Sequence, residues 1–254
     1  MFLAIDIGNT NLVIGVFADG RIIKKWRLST RRDSTRDEYS ILLRAVFRDA
    51  GIDPKTVASG AICSVVPILT PKIEGILSSD FNFEPLVVKP GIKTGLVILY
   101  EPPQEVGADR IVNSIAGFKL FGGPLIIVDF GTATTFDVVS AKGEYIGGVI
   151  SPGPAVSAEA LSVRASKLPK IDLQKPKSII GRNTIDAMRS GFYYGHPGAC
   201  DRIIEKIFEE LGEKPSVIAT GGLAETVVSE SIHISKVLPD LTLEGLRILF
   251  EMNQ

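Results

Sequence analysis

Apolar positions come in short runs over the first 28 residues. Residues 2–7 are apolar up to Asp6, residues 12–17 are apolar and β-branched, and residues 21–28 follow an Asp19-Gly20 pair. Runs of this length broken by a DG pair predict strands, the last two joined by a tight hairpin. The loop between the first two runs, Asp6-Ile7-Gly8-Asn9-Thr10-Asn11, is dense in small polar residues. From residue 37 the period changes: Tyr39, Leu42, Leu43, Val46 and Phe47 recur at helical intervals and stop before Gly51. Residues 57–66 predict a buried strand ended by Pro67, 72–77 a short helix and 85–88 another strand. Residues 107–121 open with small and acidic residues, carry Ile111, Ile115 and Phe118 at helical spacing, and end at Gly122-Gly123. That predicts a helix with Asp109 in or beside its first turn. Residues 125–129 form an apolar strand, followed by a Gly-Thr-Ala-Thr-Thr loop, a strand at 136–140, a Lys142-Gly143 turn and a run at 144–150. Helices are expected at 155–167, 184–195 and 199–211, then a strand at 216–220 leading into Gly221-Gly222, and a closing helix at 243–252.

The pattern repeats itself. Asp129-Phe130-Gly131 lies 123 positions after Asp6-Ile7-Gly8, and Gly143 lies 123 after Gly20. Strand, Asp-x-Gly loop, strand, turn and strand thus recur without a gap, which predicts two related halves joined near residues 115–124. A glycine in such a loop lets backbone amides converge on phosphate oxygens. Asn9, Thr10, Asn11, Thr132, Thr134 and Thr135 add neutral hydrogen-bonding groups, and Asp6 and Asp129 can hold cations that offset phosphate charge. One such loop reads as a plain hairpin, whereas two read as a nucleotide clamp with the active site between the halves. There is no GxxxxGK[ST] and no GxGxxG, which argues against a P-loop or dinucleotide fold.

Composition narrows the classes. Of 254 residues 45% are hydrophobic and 22% charged, as in a globular chain with a proper core. Twenty-eight Lys and Arg face 29 Asp and Glu, so no basic surplus favours a nucleic-acid partner. Two cysteines, Cys63 and Cys200, lack CxxC spacing and read as buried core residues of a reducing compartment. With two histidines, His196 and His233, and neither HExxH nor GxSxG, chemistry on a His base or His-rich metal site is disfavoured. Asp6 follows the first apolar residues with no basic n-region, so no signal peptide is expected. The run 57–69 is too short and too interrupted to span a bilayer. The expectation is a cytoplasmic chain with no membrane or nucleic-acid partner.

The two loops together with Ala219-Thr220-Gly221-Gly222 resemble the phosphate and adenosine motifs of the acetate and sugar kinase/heat-shock 70/actin superfamily. Within it the chain is similar to the type III pantothenate kinases. The segments that carry this are Asp6 to Asn11, Cys63-Ser64-Val65-Val66-Pro67, Pro90-Gly91-Ile92-Lys93-Thr94-Gly95-Leu96 and Glu105-Val106-Gly107-Ala108-Asp109-Arg110-Ile111-Val112-Asn113. Further along come Asp129 to Thr135, Gly147-Gly148-Val149-Ile150-Ser151-Pro152-Gly153, Gly181-Arg182-Asn183-Thr184 and Pro239-Asp240-Leu241-Thr242-Leu243-Glu244-Gly245-Leu246. Each tetrapeptide is weak, but the ordered set is specific and covers nearly the whole chain. The resemblance implies an α/β fold of two duplicated ribonuclease-H-like (actin/hexokinase-type) domains, with mixed sheets flanked by helices and a nucleotide cleft between them. The domains would be 1–118 and 119–254, the last helix being free to pack back on the first.

The resemblance also implies an activity, ATP-dependent phosphorylation of pantothenate to 4'-phosphopantothenate in coenzyme A biosynthesis, by a homodimer. ATP phosphates would lie on Asp6, Ile7, Gly8, Asn9, Thr10, Asn11 and Thr132. Asp109 would be the base, with Gly107, Ala108, Arg110, Tyr100 and Thr184 around pantothenate. Asp129 would bind a monovalent cation, K⁺ or NH₄⁺, and Mg²⁺ would accompany ATP. From position alone Asp109 could only cap its helix, Arg110 could be a surface ion pair, Tyr100 a core aromatic, and Thr184 an N-cap before Ile185-Asp186-Ala187. The helix N-terminus and Arg110 are expected to favour ionised Asp109. One departure is Glu101-Pro102-Pro103, where the family pattern has Asp-Asn-Pro. A kinase for another small hydroxylated metabolite and a non-catalytic regulator are the competing readings.

Overall fold

The first three apolar runs form an antiparallel meander, β1 (Phe2–Ile7), β2 (Asn11–Ala18) and β3 (Arg21–Ser29). In the computed structural model, which describes all 254 residues, β4 (Ser59–Ser64) joins β1 in parallel and β5 (Leu86–Val87) joins β4, giving the order β3-β2-β1-β4-β5. Alternation divides the strand faces. Leu3, Ile5 and Ile7 pack with Tyr39, Leu43 and Phe47 of α1 (Arg36–Asp49) and Ile73, Ile76 and Leu77 of α2 (Thr70–Asp80). Asp6 takes the opposite face. Helix α1 starts where Thr35 and Glu38 close a reciprocal capping box.

The chain divides into two compact units. The first comprises Met1–Gly95, Glu101–Ala116 and Leu241–Gln254, and the second Leu96–Tyr100 and Gly117–Asp240. The closing helix α7 (Leu241–Met252) therefore belongs to the first unit, where it packs on β1 and β4. Its Gly245 lies directly on α3 (Ala108–Phe121): a Cβ there would stand 2.5 Å from the Val112 carbonyl oxygen. The division between units falls inside α3, after Ala116.

The second unit repeats the plan. Strands β7 (Leu125–Phe130), β8 (Ala133–Val139) and β9 (Glu144–Pro152) form the meander, and β10 (Ser216–Thr220) and β11 (Lys236–Val237) extend it in parallel. An additional strand, β6 (Val97–Ile98), pairs in parallel with β9, so the order is β11-β10-β7-β8-β9-β6. Ile126, Val128 and Phe130 pack against Cys200 and Ile204 of α5 (Thr184–Leu211) and Ala224 and Val227 of α6 (Ala224–Val228). Helix α4 (Pro154–Arg164) packs on α5 and β8. No helix is long and apolar enough to cross a membrane.

Three expectations need correction. The repeat is not gapless. Asp6 is opposite Val13, but Asp129 is opposite Thr135, so β8 follows β2 by 122 positions while β7 and β9 follow β1 and β3 by 123. The first loop closes from Gly8 N to Asn11 O and the second from Gly131 N to Ala133 O, one residue sooner. The hairpin returns that residue, closing from Ser140 N to Glu144 O. Second, residues 133–135 belong to β8 rather than to a loop, because β-branched threonines pair well with both neighbouring strands. Third, the helices expected at 184–195 and 199–211 are one helix through a buried Pro197. The ring removes one ladder hydrogen bond, while Met188 before it and Cys200 and Ile204 after it are all buried, so packing holds the helix on both sides of the proline.

Candidate functional site

In the first unit the Asp6–Asn11 loop is tied down from β3 and beyond. Gly8 N donates to Asn11 O (2.9 Å), Thr30 Oγ1 to Gly8 O (2.7 Å) and Thr30 N to Thr10 O (2.9 Å). Arg32 Nη2 donates to Asn9 Oδ1 (2.7 Å). These bonds fix the loop backbone while Asn9 and Thr10 stay exposed. Neither Thr30 nor Arg32 was expected to brace this loop, since only the β2–β3 register brings them back to it.

Asp6 is the register partner of Cys63 across β1 and β4, so both side chains leave the same sheet face. Burial, then the charges of Asp6 and Asp109, push the Cys63 thiol well above its ordinary pKa. The charges of both carboxylates are thus felt at the buried thiol, and the two acids expected to serve phosphate and substrate share one neighbourhood.

Asp109 folds back onto the start of α3. Its Oδ1 accepts from Arg110 N (2.8 Å), and a Cβ at residue 107 would stand 2.5 Å from the same oxygen. Only glycine at 107 leaves room for this carboxylate. Burial raises the Asp109 pKa, outweighing the Arg110 amide, the Arg110 charge and its own backbone N–H, all of which lower it. The net shift is therefore opposite in direction to the one expected from the helix N-terminus and Arg110, because desolvation outweighs both. Arg110 is 7% exposed. Its helix is anchored where Asn113 Oδ1 accepts from Thr242 Oγ1 (2.7 Å).

In the second unit Asp129 stands one residue before the end of β7, beside two close backbones. A Cβ at Gly221 would meet Asp129 Oδ1 at 2.5 Å and Phe130 N at 2.6 Å, and one at Gly153 would meet Gly131 O at 2.3 Å. Gly153 N also donates to Thr132 O (3.1 Å). These glycines let three segments converge on the Gly131-Thr132 turn, which leaves Thr132 exposed. Behind it buried Thr134 meets His196 Nε2 at 3.1 Å, and burial lowers the His196 pKa. Tyr100, half-buried after β6, has its ring 6.3 Å from that of Tyr145. Thr184 is the first residue of α5 and not its cap. Asn183 takes that place, its Oδ1 accepting from Asp186 N (2.9 Å). Thr184 instead lines a groove of about 650 Å³ with Arg182, Asn183, Met188 and Phe192.

A sequence profile described as type III pantothenate kinase matches residues 2–206. The chain belongs to that family. It is 52% identical to the type III pantothenate kinase of Geobacter sulfurreducens and 51% identical to that of Pelobacter propionicus, over 254 residues and the full length of both chains in each case. Among solved structures, a ROK family glucokinase from Streptomyces griseus, in complex with glucose and AMPPNP, is similar at a TM-score of 0.57 and 12% identity, with 98% of each chain covered. At that identity it shows the fold alone. This type III pantothenate kinase chain is built on the actin/hexokinase-like ribonuclease-H fold, as the strand orders of both sheets indicate.

Proposed function

We propose that this chain transfers the γ-phosphoryl group of ATP to the terminal hydroxyl of pantothenate, the first step toward coenzyme A, with Asp109 as the base. The observation that carries this reading is the Asp109 carboxylate itself, held at a helix start by the Arg110 N–H and the space over Gly107, and largely desolvated. Burial raises its proton affinity, which suits a group that must take a hydroxyl proton. The substrate oxygen forms the new bond to phosphorus, the bond to ADP breaks, and the hydroxyl proton passes to an Asp109 carboxylate oxygen. A loose transition state needs positioning and charge neutralisation more than covalent help. The braced Asp6–Asn11 and Gly131-Thr132 turns supply backbone amides and hydroxyls for phosphate, and Arg110 offers a bidentate partner for the pantothenate carboxylate. Gly107, Ala108, Tyr100 and Thr184 complete the substrate contacts.

No group of three or more His, Cys, Asp or Glu side chains is arranged so that it could hold a metal ion. A divalent ion is therefore read as arriving with ATP and sharing its phosphate oxygens, where it neutralises charge on the transferring group. Asp129, one carboxylate among backbone carbonyls and threonine hydroxyls, suits a monovalent cation such as K⁺ or NH₄⁺. A homodimer is supported by the exposed Ile179, Ile180 and Ile185 and by the open space over Gly191 and Gly195 of α5. Two buried free thiols accord with a reducing cytoplasm.

The test is ADP release measured with pantothenate, sugars and acetate, with and without K⁺. Release that depends on pantothenate and is lost in Asp109→Asn, with ATP binding and folding retained, is the expected outcome. Near-normal turnover in that variant removes Asp109 from the base role, and no response to pantothenate removes the substrate.

A further inference from the structure

We propose that Asp137 is a positioning residue that holds Tyr145 and, through it, the Tyr100 wall of the substrate pocket. The inference rests on the reading above, that Tyr100 contacts pantothenate. Asp137 lies in the middle of β8 with 0% of its surface exposed. Burying a carboxylate in a sheet is costly unless its oxygens are bonded. Here Tyr145 Oη donates to Oδ1 (2.7 Å) and Thr135 Oγ1 to Oδ2 (3.2 Å).

The arrangement connects two parts of the candidate site. Thr135 is the register partner of Asp129, so Asp129, Thr135 and Asp137 follow one another on one sheet face. Tyr145, itself fully buried, continues the file to the sheet edge. There β6 pairs with β9 at Tyr145, and the Tyr100 ring lies 6.3 Å from the Tyr145 ring at an interplanar angle of 55°. The Tyr100 ring also lies beside the β9 backbone, where a Cβ at Gly147 would be 3.7 Å from its Cδ2.

The internal repeat shows that the fold does not require this acid. Through the β2–β8 alignment the counterpart of Asp137 is Gly15, which is packed by Leu243, and the counterpart of Tyr145 is Ile22. The first sheet holds the same strand positions with apolar contacts. The buried acid and its tyrosine belong to the sheet that also carries β6 and Tyr100.

The experiment is steady-state kinetics on the full chain with pantothenate and ATP varied separately. Tyr145→Phe keeps the ring and removes the hydroxyl. It should raise the pantothenate KM about tenfold and leave the ATP KM within about twofold. Asp137→Leu should do the same, and Asp137→Asn, which keeps an oxygen acceptor for Tyr145, should recover most of the loss. In a Tyr100→Ala background Tyr145→Phe should add less than about twofold, because the group it positions is gone. Equal shifts in both KM values, full additivity with Tyr100→Ala, or a lowered Tm with unchanged pantothenate KM would each overturn the inference. If Tyr100→Ala itself leaves the pantothenate KM unchanged, the underlying reading of Tyr100 fails. If Tyr100→Ala raises it and Tyr145→Phe does not, the positioning role alone fails. Should the Asp137 variants not fold, the tyrosine pair still decides.

Discussion

Gly107 and Asp109 are matched at the start of α3: a Cβ on the first would stand 2.5 Å from Oδ1 of the second. A methyl group there must displace the carboxylate, since its backbone cannot retreat from the helix it begins. Gly107→Ala should therefore lower kcat about 10²-fold through misplacement of the base, with the ATP KM changed less than about twofold. Steady-state rates with each substrate varied check this, and an unchanged kcat would show that the carboxylate position is not critical.

The raised Asp109 pKa makes a paired prediction on pH and stability. The protonated acid cannot accept the hydroxyl proton, so activity should fall on the acid side with a midpoint above the ordinary 3.8. The folded state binds this proton more tightly than the unfolded state, so the carboxylate opposes folding at neutral pH. Asp109→Asn should accordingly raise Tm at pH 7 while abolishing transfer. A lower Tm would show that the carboxylate instead stabilises the fold.

Asp80 illustrates the opposite sign. Burial raises its pKa, but hydrogen bonds from Ser40, Ser79 and Arg44 together with the Arg44 charge prevail and bring it from 3.8 to about 2. Its contribution to stability is present above the unfolded value of 3.8 and is lost as pH falls toward 2. Asp80→Asn should cost about 1 kcal/mol at pH 7, since solvent screens the exposed Arg44 partner, and flatten the acid limb of a urea-denaturation series between those values.

Gly245 lies on the Val112 carbonyl, and its neighbour Leu243 packs on Gly15. Gly245→Ala should lift α7 from α3 and cost about 1–3 kcal/mol by overpacking, read as a lower Tm. A Tm within error of the parent would mean that the helices slide without penalty.

Both thiols are pushed up, Cys63 by burial, Asp6 and Asp109, and Cys200 by burial and Asp201 to about 12. Neither should react with a disulfide reagent at pH 8 in the native protein, and both should react once denatured. Prompt labelling of Cys63 in the native state would show that its neighbourhood opens to solvent.

The alternation of apolar residues and the recurring Asp-x-Gly determined more than the elements. From them followed both meanders, the starts of β1, β3 and the strands that match them, and the loops that carry Asp6 and Asp129. These are local signals, because a strand end and a hairpin turn are set by residues adjacent in the chain. The one-residue exchange between loop and hairpin was not legible, since it conserves the total spacing and appears only in strand pairing. Nor was the continuity of α5 through Pro197, where residues buried before and after the proline offset a single lost hydrogen bond.

Chemical environment, by contrast, came only with packing. The sequence put Asp109 at a helix start, where local electrostatics favour its charge, but burial reversed the balance. Thr30 and Arg32 reached the first loop only through the β2–β3 register, and Asp137 met Tyr145 only across β8 and β9. Desolvation and cross-strand contacts depend on which distant segments exclude water together, and no single stretch of the chain encodes that.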